Sequence, residues 1–206
     1  MNKKYQDLVI KDGKLVADWE KLYKDFDNPW KQKDPNVICS KSRLAVINYL
    51  SVYRIKSVVE IGCGLGFTTN FIHSSIPNIE IIGVDISHNA ISKAKAGFPS
   101  LKFMQADIMD LVDIEGYDAF FMSEISWYLL EDEIFSKVLS ELKETKRYKY
   151  LIHNLTFYKT GQNYGIDKFT KLQELIDLIP FRLLETFSYT EPEWNHIETS
   201  IIFKIN

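Results

Sequence analysis

Short apolar runs recur along the chain, and stretches with helical spacing of apolar residues separate them. The runs predict strands at residues 58–61, 81–84, 101–107, 117–122, 148–152, 183–189 and 197–205. Helices are predicted between them at residues 68–75, 87–95, 131–144 and 169–178. Strands that alternate with helices favour a parallel sheet with helices on both faces. The short link before the last strand predicts a hairpin, so that strand is expected to run antiparallel to the rest.

The region before the first predicted strand is helical and contains one aromatic loop. Apolar residues at helical spacing predict a helix over 15–26, and Pro29 prevents it from continuing. Ser40 is a predicted N-cap for a second helix, with an apolar stripe at Leu44, Ile47 and Leu50. In the loop at 27–35, Trp30 is either a core anchor or part of a lid that excludes water.

Three glycines at alternate positions follow the first predicted strand. Gly62, Gly64 and Gly66 lie between that strand and the helix predicted at 68–75. Such a turn brings free backbone N–H groups to a polar or anionic ligand. The dinucleotide spacing fails because position 67 is Phe. Asp85 ends the second predicted strand, where its carboxylate can accept two hydrogen bonds from a ribose. A nucleotide-type site is predicted here.

Composition and charge limit the function classes. A chain of 206 residues that is 46% hydrophobic fits one domain, residues 1–206, with a helical cap and lid at 1–54 and the core at 55–206. A net charge of −3 argues against a nucleic-acid surface and favours a small-molecule substrate. Two cysteines and the absence of an apolar leader or membrane-spanning run predict a soluble, cytoplasmic protein. No metal site is predicted, and the sequence leaves the oligomeric state open.

The segment from Glu60 to Gly66, EIGCGLG, resembles motif I of the class I S-adenosylmethionine-dependent methyltransferases. The resemblance implies a Rossmann-like sheet of seven strands in the order 3-2-1-4-5-7-6, with the last strand antiparallel. It also implies S-adenosyl-L-methionine as the cofactor. The cofactor-binding residues that it suggests are Trp30, Arg43, Glu60, Gly62, Gly64, Gly66, Asp85, Ile86, Asp107, Ile108 and Ser123.

A narrower likeness concerns the acceptor. Asn28-Pro29-Trp30, Arg43, the EIGCG segment and Ser123 to Leu129 are similar to segments of nodulation N-methyltransferases and bacterial surface-glycan methyltransferases. Asn28 stands where those families have Asp, and Trp127 stands where they have Tyr. The likeness implies a sugar, sugar nucleotide or phosphoramidate precursor of a bacterial capsule or polysaccharide as the substrate.

The catalytic candidates lie after the fourth and fifth predicted strands. Glu124 and Tyr128 follow the fourth strand, and His153 follows the fifth. Each can place the acceptor or remove its proton, although a histidine at such a position is more commonly held by neighbouring backbone than used as a base. The sequence alone leaves two alternatives open: an RNA methyltransferase, or a protein that binds the cofactor without turning it over.

Overall fold

The computed structural model describes residues 8–11, 14–111, 114–161 and 164–205. A small antiparallel hairpin of β1 (Ile10–Lys11) and β2 (Lys14–Leu15) comes first. The central sheet follows, and its seven strands are β3 (Ser57–Ile61), β4 (Glu80–Asp85), β5 (Lys102–Gln105), β6 (Ala119–Ser123), β7 (Tyr150–Tyr158), β8 (Arg182–Tyr189) and β9 (His196–Lys204).

The order across the central sheet is β5-β4-β3-β6-β7-β9-β8. The pairs from β5 to β7 are all parallel, whereas β9 is antiparallel to both of its neighbours, β7 and β8. When the strands are counted from β3, this is the order 3-2-1-4-5-7-6. The predicted α/β class, strand order and antiparallel last strand are therefore confirmed.

Helices cover both faces of the sheet. They are α1 (Trp19–Asp25), α2 (Pro35–Ile38), α3 (Lys41–Val52), α4 (Phe67–Ser75), α5 (His88–Gly97), α6 (Ile108–Leu111), α7 (Ile134–Thr145) and α8 (Leu172–Leu178). Alternate strand residues face opposite ways. Thus Val59 and Phe120 pack with α7 and α8, whereas Val58 and Phe121 pack with α3 and α4. Within the described ranges, no helix is long and apolar enough to cross a membrane.

The N-terminal helices differ from the prediction in extent and orientation. The helix predicted over 15–26 begins only at Trp19, because the Asp18 side chain caps it by accepting from Lys21 N at 3.0 Å. In α3, Ser40 does take the N-cap position, but Leu44 points to solvent. Leu50 of the predicted stripe is buried as expected, and Val46, Tyr49 and Ser42 complete the buried face of α3.

The last helix is also shorter than predicted. It begins at Leu172 and not at Phe169, and Asp167 does not cap it. The Glu174 carboxylate folds back over the helix start, where it accepts from Thr170 N at 2.6 Å and Lys171 N at 3.2 Å. This carboxylate satisfies backbone donors that have no partner inside the helix.

Strand β7 is longer than predicted, and this changes the shape of the ligand edge. It was expected to end at Ile152, yet its pairing with β9 continues to Tyr158 opposite His196. Its neighbour β6 ends at Ser123, opposite Asn154. Residues 155–158 of β7 and 196–199 of β9 therefore project beyond the parallel strands, and we call them the β7–β9 extension.

Candidate functional site

A cavity of about 1010 Å³ opens at the carboxyl ends of the parallel strands. It lies beside β3, which has β4 on one side and β6 on the other. From β3 to β5 the chain adds strands towards one edge of the sheet, and from β6 onwards it adds them towards the other edge, so the strand order reverses here. Open α/β sheets bind ligands at such a switch point. The volume is at the upper end of the range of about 300–1,000 Å³ for single-ligand pockets, which leaves room for a cofactor and a second molecule.

The glycine turn between β3 and α4 forms one side of this cavity. All three glycines have positive φ, at 72°, 54° and 79° for Gly62, Gly64 and Gly66. Gly62 lines the cavity, whereas the other two do not. A Cβ on Gly66 would lie 2.6 Å from Cζ of Phe103, and one on Gly64 would collide with the side chain of Gln32. Gly64 and Gly66, two of the predicted cofactor-binding glycines, thus contact protein side chains and shape the turn without lining the cavity.

Glu60 lies at the end of β3 and lines the cavity, although it is almost fully buried. Thr69 Oγ1 donates to its carboxyl at 2.5 Å. Burial raises the pKa of Glu60 to about 7, against the opposing effects of the Thr69 hydrogen bond and the Arg43 charge. A cationic group beside Glu60 would favour its ionised form.

Asp85 lies at the end of β4 and holds two backbone segments together. Its two oxygens accept from Gly64 N and Ser87 N, each at 2.9 Å. Burial raises its pKa to about 6, although these hydrogen bonds lower it. The next parts of the same wall are formed by Ile86, Asp107 and Ile108. The predicted ribose and adenine residues therefore share one side of the cavity.

Arg43 lies between the two halves of the cavity. Its Nε donates to Thr68 Oγ1 at 3.0 Å, and its Nη1 donates to the Val37 carbonyl and to Ser40 Oγ. Its charge favours the ionised forms of Glu60 on one side and Glu124 on the other. These bonds hold the guanidinium between Glu60 and Glu124.

Glu124 follows β6 directly and has a left-handed backbone, with φ at 60°. Its carboxylate accepts from Thr156 N and Thr156 Oγ1, both at 2.9 Å. Desolvation raises its pKa, while Arg43 and the Thr156 bonds oppose the shift. A non-glycine residue with positive φ is uncommon and is found more often at functional sites. Ser123 lines the cavity beside it.

Tyr128 lines the cavity and links it to the N-terminal cap. Its ring lies 5.0 Å from that of Trp19 and 5.8 Å from that of Trp30, centroid to centroid. The cap is attached to the glycine turn as well, because Gln32 Oε1 accepts from Leu65 N at 2.9 Å. Both interpretations of Trp30 stay open, since this half-buried side chain lines the cavity and also packs against the core cluster beneath the N-terminal cap.

The structure places His153 away from the cavity, in contrast to the prediction. The residue lies in the middle of β7 and is fully buried. Its Nε2 is hydrogen bonded to Ser126 Oγ. Burial lowers its pKa to about 3, so the ring is neutral at physiological pH. The prediction that it ends a strand on the ligand side was wrong because β7 continues for five more residues.

The β7–β9 extension adds a wall that the sequence analysis missed, whereas the hairpin link at 190–196 lies on the ligand face, as the predicted antiparallel last strand requires. Thr156, Tyr158, Trp194, His196 and Glu198 all line the cavity. The rings of Trp194 and His196 are stacked, with centroids 4.6 Å apart and planes 15° apart. Glu198 Oε2 accepts from Ser42 N at 3.1 Å. Part of the signal was present in the sequence, since polar and apolar residues alternate from Asn154 to Tyr158, although Thr199 interrupts the same pattern after His196.

Comparisons with known proteins agree with this geometry. The family described as a methyltransferase domain matches residues 58–147. Trans-aconitate 2-methyltransferase of Escherichia coli is 28% identical over 104 residues, which are 50% of this chain and 41% of that protein. The chain thus spans less than half the length of this curated relative.

Two solved structures show the same fold. The N-methyltransferase NodS from Bradyrhizobium japonicum WM9, in complex with S-adenosyl-L-homocysteine, has a TM-score of 0.67 at 15% identity and covers 90% of this chain and 97% of its own. The bifunctional kinase-methyltransferase WbdD has a TM-score of 0.62 at 14% identity, with 84% of this chain and 40% of its own covered. At these identities the likeness shows the fold alone.

Residues 58–147 are thus similar to a methyltransferase domain, and the whole sheet has the fold of the two solved methyltransferases. The match begins at Val58, in the first strand of the sheet, and includes the glycine turn, Asp85 and Asp107.

Proposed function

We propose that this chain transfers a methyl group from S-adenosylmethionine to a small polar acceptor. One observation carries the proposal: the wall with Glu60, Gly62 and Asp85 and the wall with Glu124 open into a single cavity. A protein that only senses the cofactor has no need of a second polar wall. Two walls that share one space allow a donor and an acceptor to meet.

The cofactor is proposed to lie along the ends of β3, β4 and β5. Asp85 accepts hydrogen bonds from the ribose hydroxyls, because ionised carboxylate oxygens keep acceptor capacity beyond the two backbone bonds described. Asp107 accepts from the adenine amine, and Ile86 and Ile108 contact the ring. Arg43 pairs with the carboxylate of the methionine part, and Glu60 favours its ammonium group.

The reaction needs positioning more than acid or base strength. The acceptor oxygen or nitrogen bonds to the methyl carbon, the carbon–sulfur bond breaks, and its electron pair stays on the sulfur, which becomes a neutral thioether. Alignment of the two reactants supplies much of the rate. Glu124 takes the proton from an acceptor that carries one, since its raised pKa makes it a stronger base than an ordinary glutamate. Trp30 and Tyr128 exclude water from above.

The proposed acceptor class is a precursor of a bacterial surface glycan, such as a sugar, a sugar nucleotide or a phosphoramidate. The relatives named above include a methyltransferase of a small acid and a bifunctional kinase-methyltransferase. A net charge of −3 disfavours binding to a polynucleotide. The activity is proposed to be cytoplasmic.

Calorimetric titration with S-adenosylhomocysteine tests the cofactor. We expect binding by the wild type and a loss of about 1.5–3 kcal/mol in Asp85→Ala, the scale of hydrogen bonds to a charged group. Asp110→Ala is the matched control, because this acid of α6 follows Asp107 without lining the cavity. Binding of NAD in place of S-adenosylhomocysteine would refute the proposal.

Transfer itself is tested with radiolabelled S-adenosylmethionine and a panel of nucleotide sugars, amino sugars, phosphoramidates and bulk tRNA. Label in a small acceptor is expected. Label in the tRNA alone would overturn the acceptor class, and no label in any acceptor would favour a cofactor-binding protein without turnover.

A further inference from the structure

The β7–β9 extension presents one continuous polar face to the cavity. Residues opposite each other on paired strands share a face of the sheet. Thr156 lies opposite Glu198, and Tyr158 lies opposite His196. The Glu124 carboxylate accepts hydrogen bonds from Thr156, so Thr156 has Glu124 as its hydrogen-bond partner and Glu198 as its cross-strand neighbour. These two acids are close enough for Glu198 to raise the pKa of Glu124.

The polar face of the β7–β9 extension carries a net negative charge when the Arg43 charge is paired with the carboxylate of the cofactor. Arg43 and Lys31 are the lysine and arginine side chains that line the cavity in the described part of the chain. Arg43 is held by Thr68, Val37 and Ser40, and the proposed function assigns its charge to the cofactor carboxylate. Glu124 and Glu198 then face the acceptor without that cation, and Lys31, on the turn at Pro29–Lys31 of the N-terminal cap, is the one remaining lysine or arginine of the described cavity lining against these two acids. A second anion placed beside two carboxylates would be repelled.

A buried polar side chain at the base of this face also points to a ligand. Ser123 lines the cavity and is only 7% exposed, yet its Oγ has no hydrogen-bond partner among the described residues. Its cross-strand neighbour Asn154 is likewise buried, and neither atom of its amide group has a partner there. Leaving such groups unpaired costs about 1–3 kcal/mol each. A ligand with hydroxyl or amine groups would supply a partner for Ser123.

The upper end of the face is aromatic. The stacked rings of Trp194 and His196 lie at the tip of the hairpin, beside the half-exposed ring of Tyr158. Flat apolar faces above a pair of carboxylates suit a ring-shaped molecule with donor groups on its edge. Aromatic rings also attract cations through their π faces.

Resting on the proposed function, we propose that Glu124, Glu198 and the Trp194–His196 pair form the acceptor subsite, and that it selects a ring compound whose groups are hydrogen-bond donors. The preferred acceptor carries an ammonium or hydroxyl group and lacks a carboxylate or phosphate at the end that faces the two acids. Within the acceptor class proposed above, this favours amino sugars and neutral sugars over phosphoramidates and sugar acids.

Three probes with one pyranose ring test the selectivity: D-glucosamine as its cation, D-glucose and D-glucuronate. Binding of each is measured by ligand-observed NMR, both with S-adenosylhomocysteine-saturated protein and with protein alone. We expect the order glucosamine, glucose, glucuronate from tightest to weakest, with at least about tenfold between the first and last, a difference of about 1.4 kcal/mol. The reverse order, or no detectable binding of glucosamine, would overturn the proposal.

Variants of two glutamates in the same hairpin region separate the local charge from the net charge. Glu198→Gln keeps an acceptor for Ser42 N and removes the charge, so the preference for glucosamine over glucuronate should shrink about tenfold. Glu193→Gln changes net charge equally, but this exposed residue does not line the cavity, and the preference should stay. Equal effects of the two variants would contradict the proposal.

The cofactor assay stays separate from this experiment. If S-adenosylhomocysteine does not bind but glucosamine does so in a Glu198-dependent way, the proposed function fails and the subsite stands. If the cofactor binds and the three probes show no charge preference, the subsite fails and the proposed function stands.

Discussion

Glu60 and Asp85 end neighbouring strands, and both carboxyl groups are harder to ionise here than in water. Burial is the main cause in each, and it raises their pKa values to about 7 and about 6. A raised pKa means that the folded chain binds the proton more tightly than the unfolded chain. These two acids therefore reduce stability as they ionise, and a cofactor that pairs with their charged forms would offset this cost.

Replacement of Glu60 tests the cost of its ionisation. The stability linked to this carboxyl is greatest below its ordinary pKa of 4.5 and is lost as the pH rises towards about 7. Glu60→Gln keeps an acceptor for Thr69 but cannot ionise. We expect the variant to gain roughly 3 kcal/mol over the wild type at pH 8, and little at pH 4, from about 1.36 kcal/mol per pKa unit.

Urea unfolding at a series of pH values measures this difference. Glu80→Gln is the control, because this exposed acid begins β4 and pairs with Lys102 on the surface. Wild type and Glu60→Gln curves that stay parallel from acid to alkaline pH would contradict the expectation. The same variant should bind S-adenosylhomocysteine more weakly if Glu60 contacts the cofactor.

The bond between Ser126 and His153 is expected to support the structure and to play no part in proton transfer. Ser126→Ala would leave His153 Nε2 without its partner in the core, which costs about 1–3 kcal/mol of stability. The pH profile of methyl transfer should keep its shape, since this histidine does not line the cavity. Ser140→Ala on the exposed face of α7 is the control, with little expected loss of stability. A shift in the pH profile with no loss of stability would argue for a catalytic histidine.

Site residues were predictable where the chemistry depends on neighbours in the sequence. Glu60 and Gly62 lie at one strand end, and Asp85 lies at the next, so their spacing predicted that the three residues share one site, and all three line the cavity. His153 was predicted to end its strand because the apolar run stops at Ile152. The strand itself continues through more polar residues to Tyr158. Glu198 was missed because only the pairing of β9 with β7 brings it near Glu124.

At the scale of elements, α1 is fastened to the sheet through its first turn. The Glu20 carboxylate accepts from His88 N at 2.5 Å and from Asn89 N at 3.1 Å, at the start of α5. It also accepts from Ser87 Oγ and from the Asn89 side chain. An anion at a helix N-terminus is stabilised by the unpaired N–H groups and the helix dipole.

Removal of this carboxylate should release the cap without unfolding the sheet. In Glu20→Ala we expect faster proteolysis within residues 14–26, an unfolding transition of the core close to that of the wild type, and a severalfold weaker affinity for S-adenosylhomocysteine. Asp25→Ala, which changes an exposed acid at the other end of α1, is the matched control. Limited proteolysis with mass spectrometry gives the cleavage sites. Unchanged cleavage in Glu20→Ala would show that other contacts hold the cap.

Strand identity was easier to predict than strand length or helix orientation. Strands β3 and β6 are buried along their whole length, so their sequences are continuous apolar runs with few interruptions. The outer part of β7 alternates in polarity because one of its faces lines the cavity, and the apolar run therefore ends too early. In α3 the stripe was misplaced because Tyr49 and Ser42 face the sheet, and neither fits a simple apolar pattern.

At the scale of the whole molecule, the two halves of the cavity come from different parts of the chain. The proposed cofactor wall is formed by residues 60–108 and the proposed acceptor wall by residues 123–128, 156–158 and 194–198, and residues 15–43 of the N-terminal cap line the cavity as well. Changes at the hairpin tip should therefore leave cofactor binding intact. The double variant Trp194→Ala/His196→Ala tests this independence.

A ligand that binds only the folded state raises its stability by about 2.7 kcal/mol at a hundred times its dissociation constant. We expect S-adenosylhomocysteine to raise the melting temperature of the double variant and of the wild type by the same amount. Asp85→Ala should show a much smaller rise under the same conditions. Loss of the rise in the double variant would mean that the tip contributes to the cofactor site.

The ladder of β7 and β9 has a consequence for how such a chain diverges. The two strands bond to each other beyond the end of β6, so their tips can lengthen or shorten by pairs of residues without breaking a bond of the parallel sheet. Mutations at the cavity-lining positions 158, 194 and 196 can therefore accumulate without touching the EIGCGLG segment, whereas Leu155 and Phe157 are held in the core. Descendants of one ancestor could exchange one acceptor for another in few steps and keep the same methyl donor throughout.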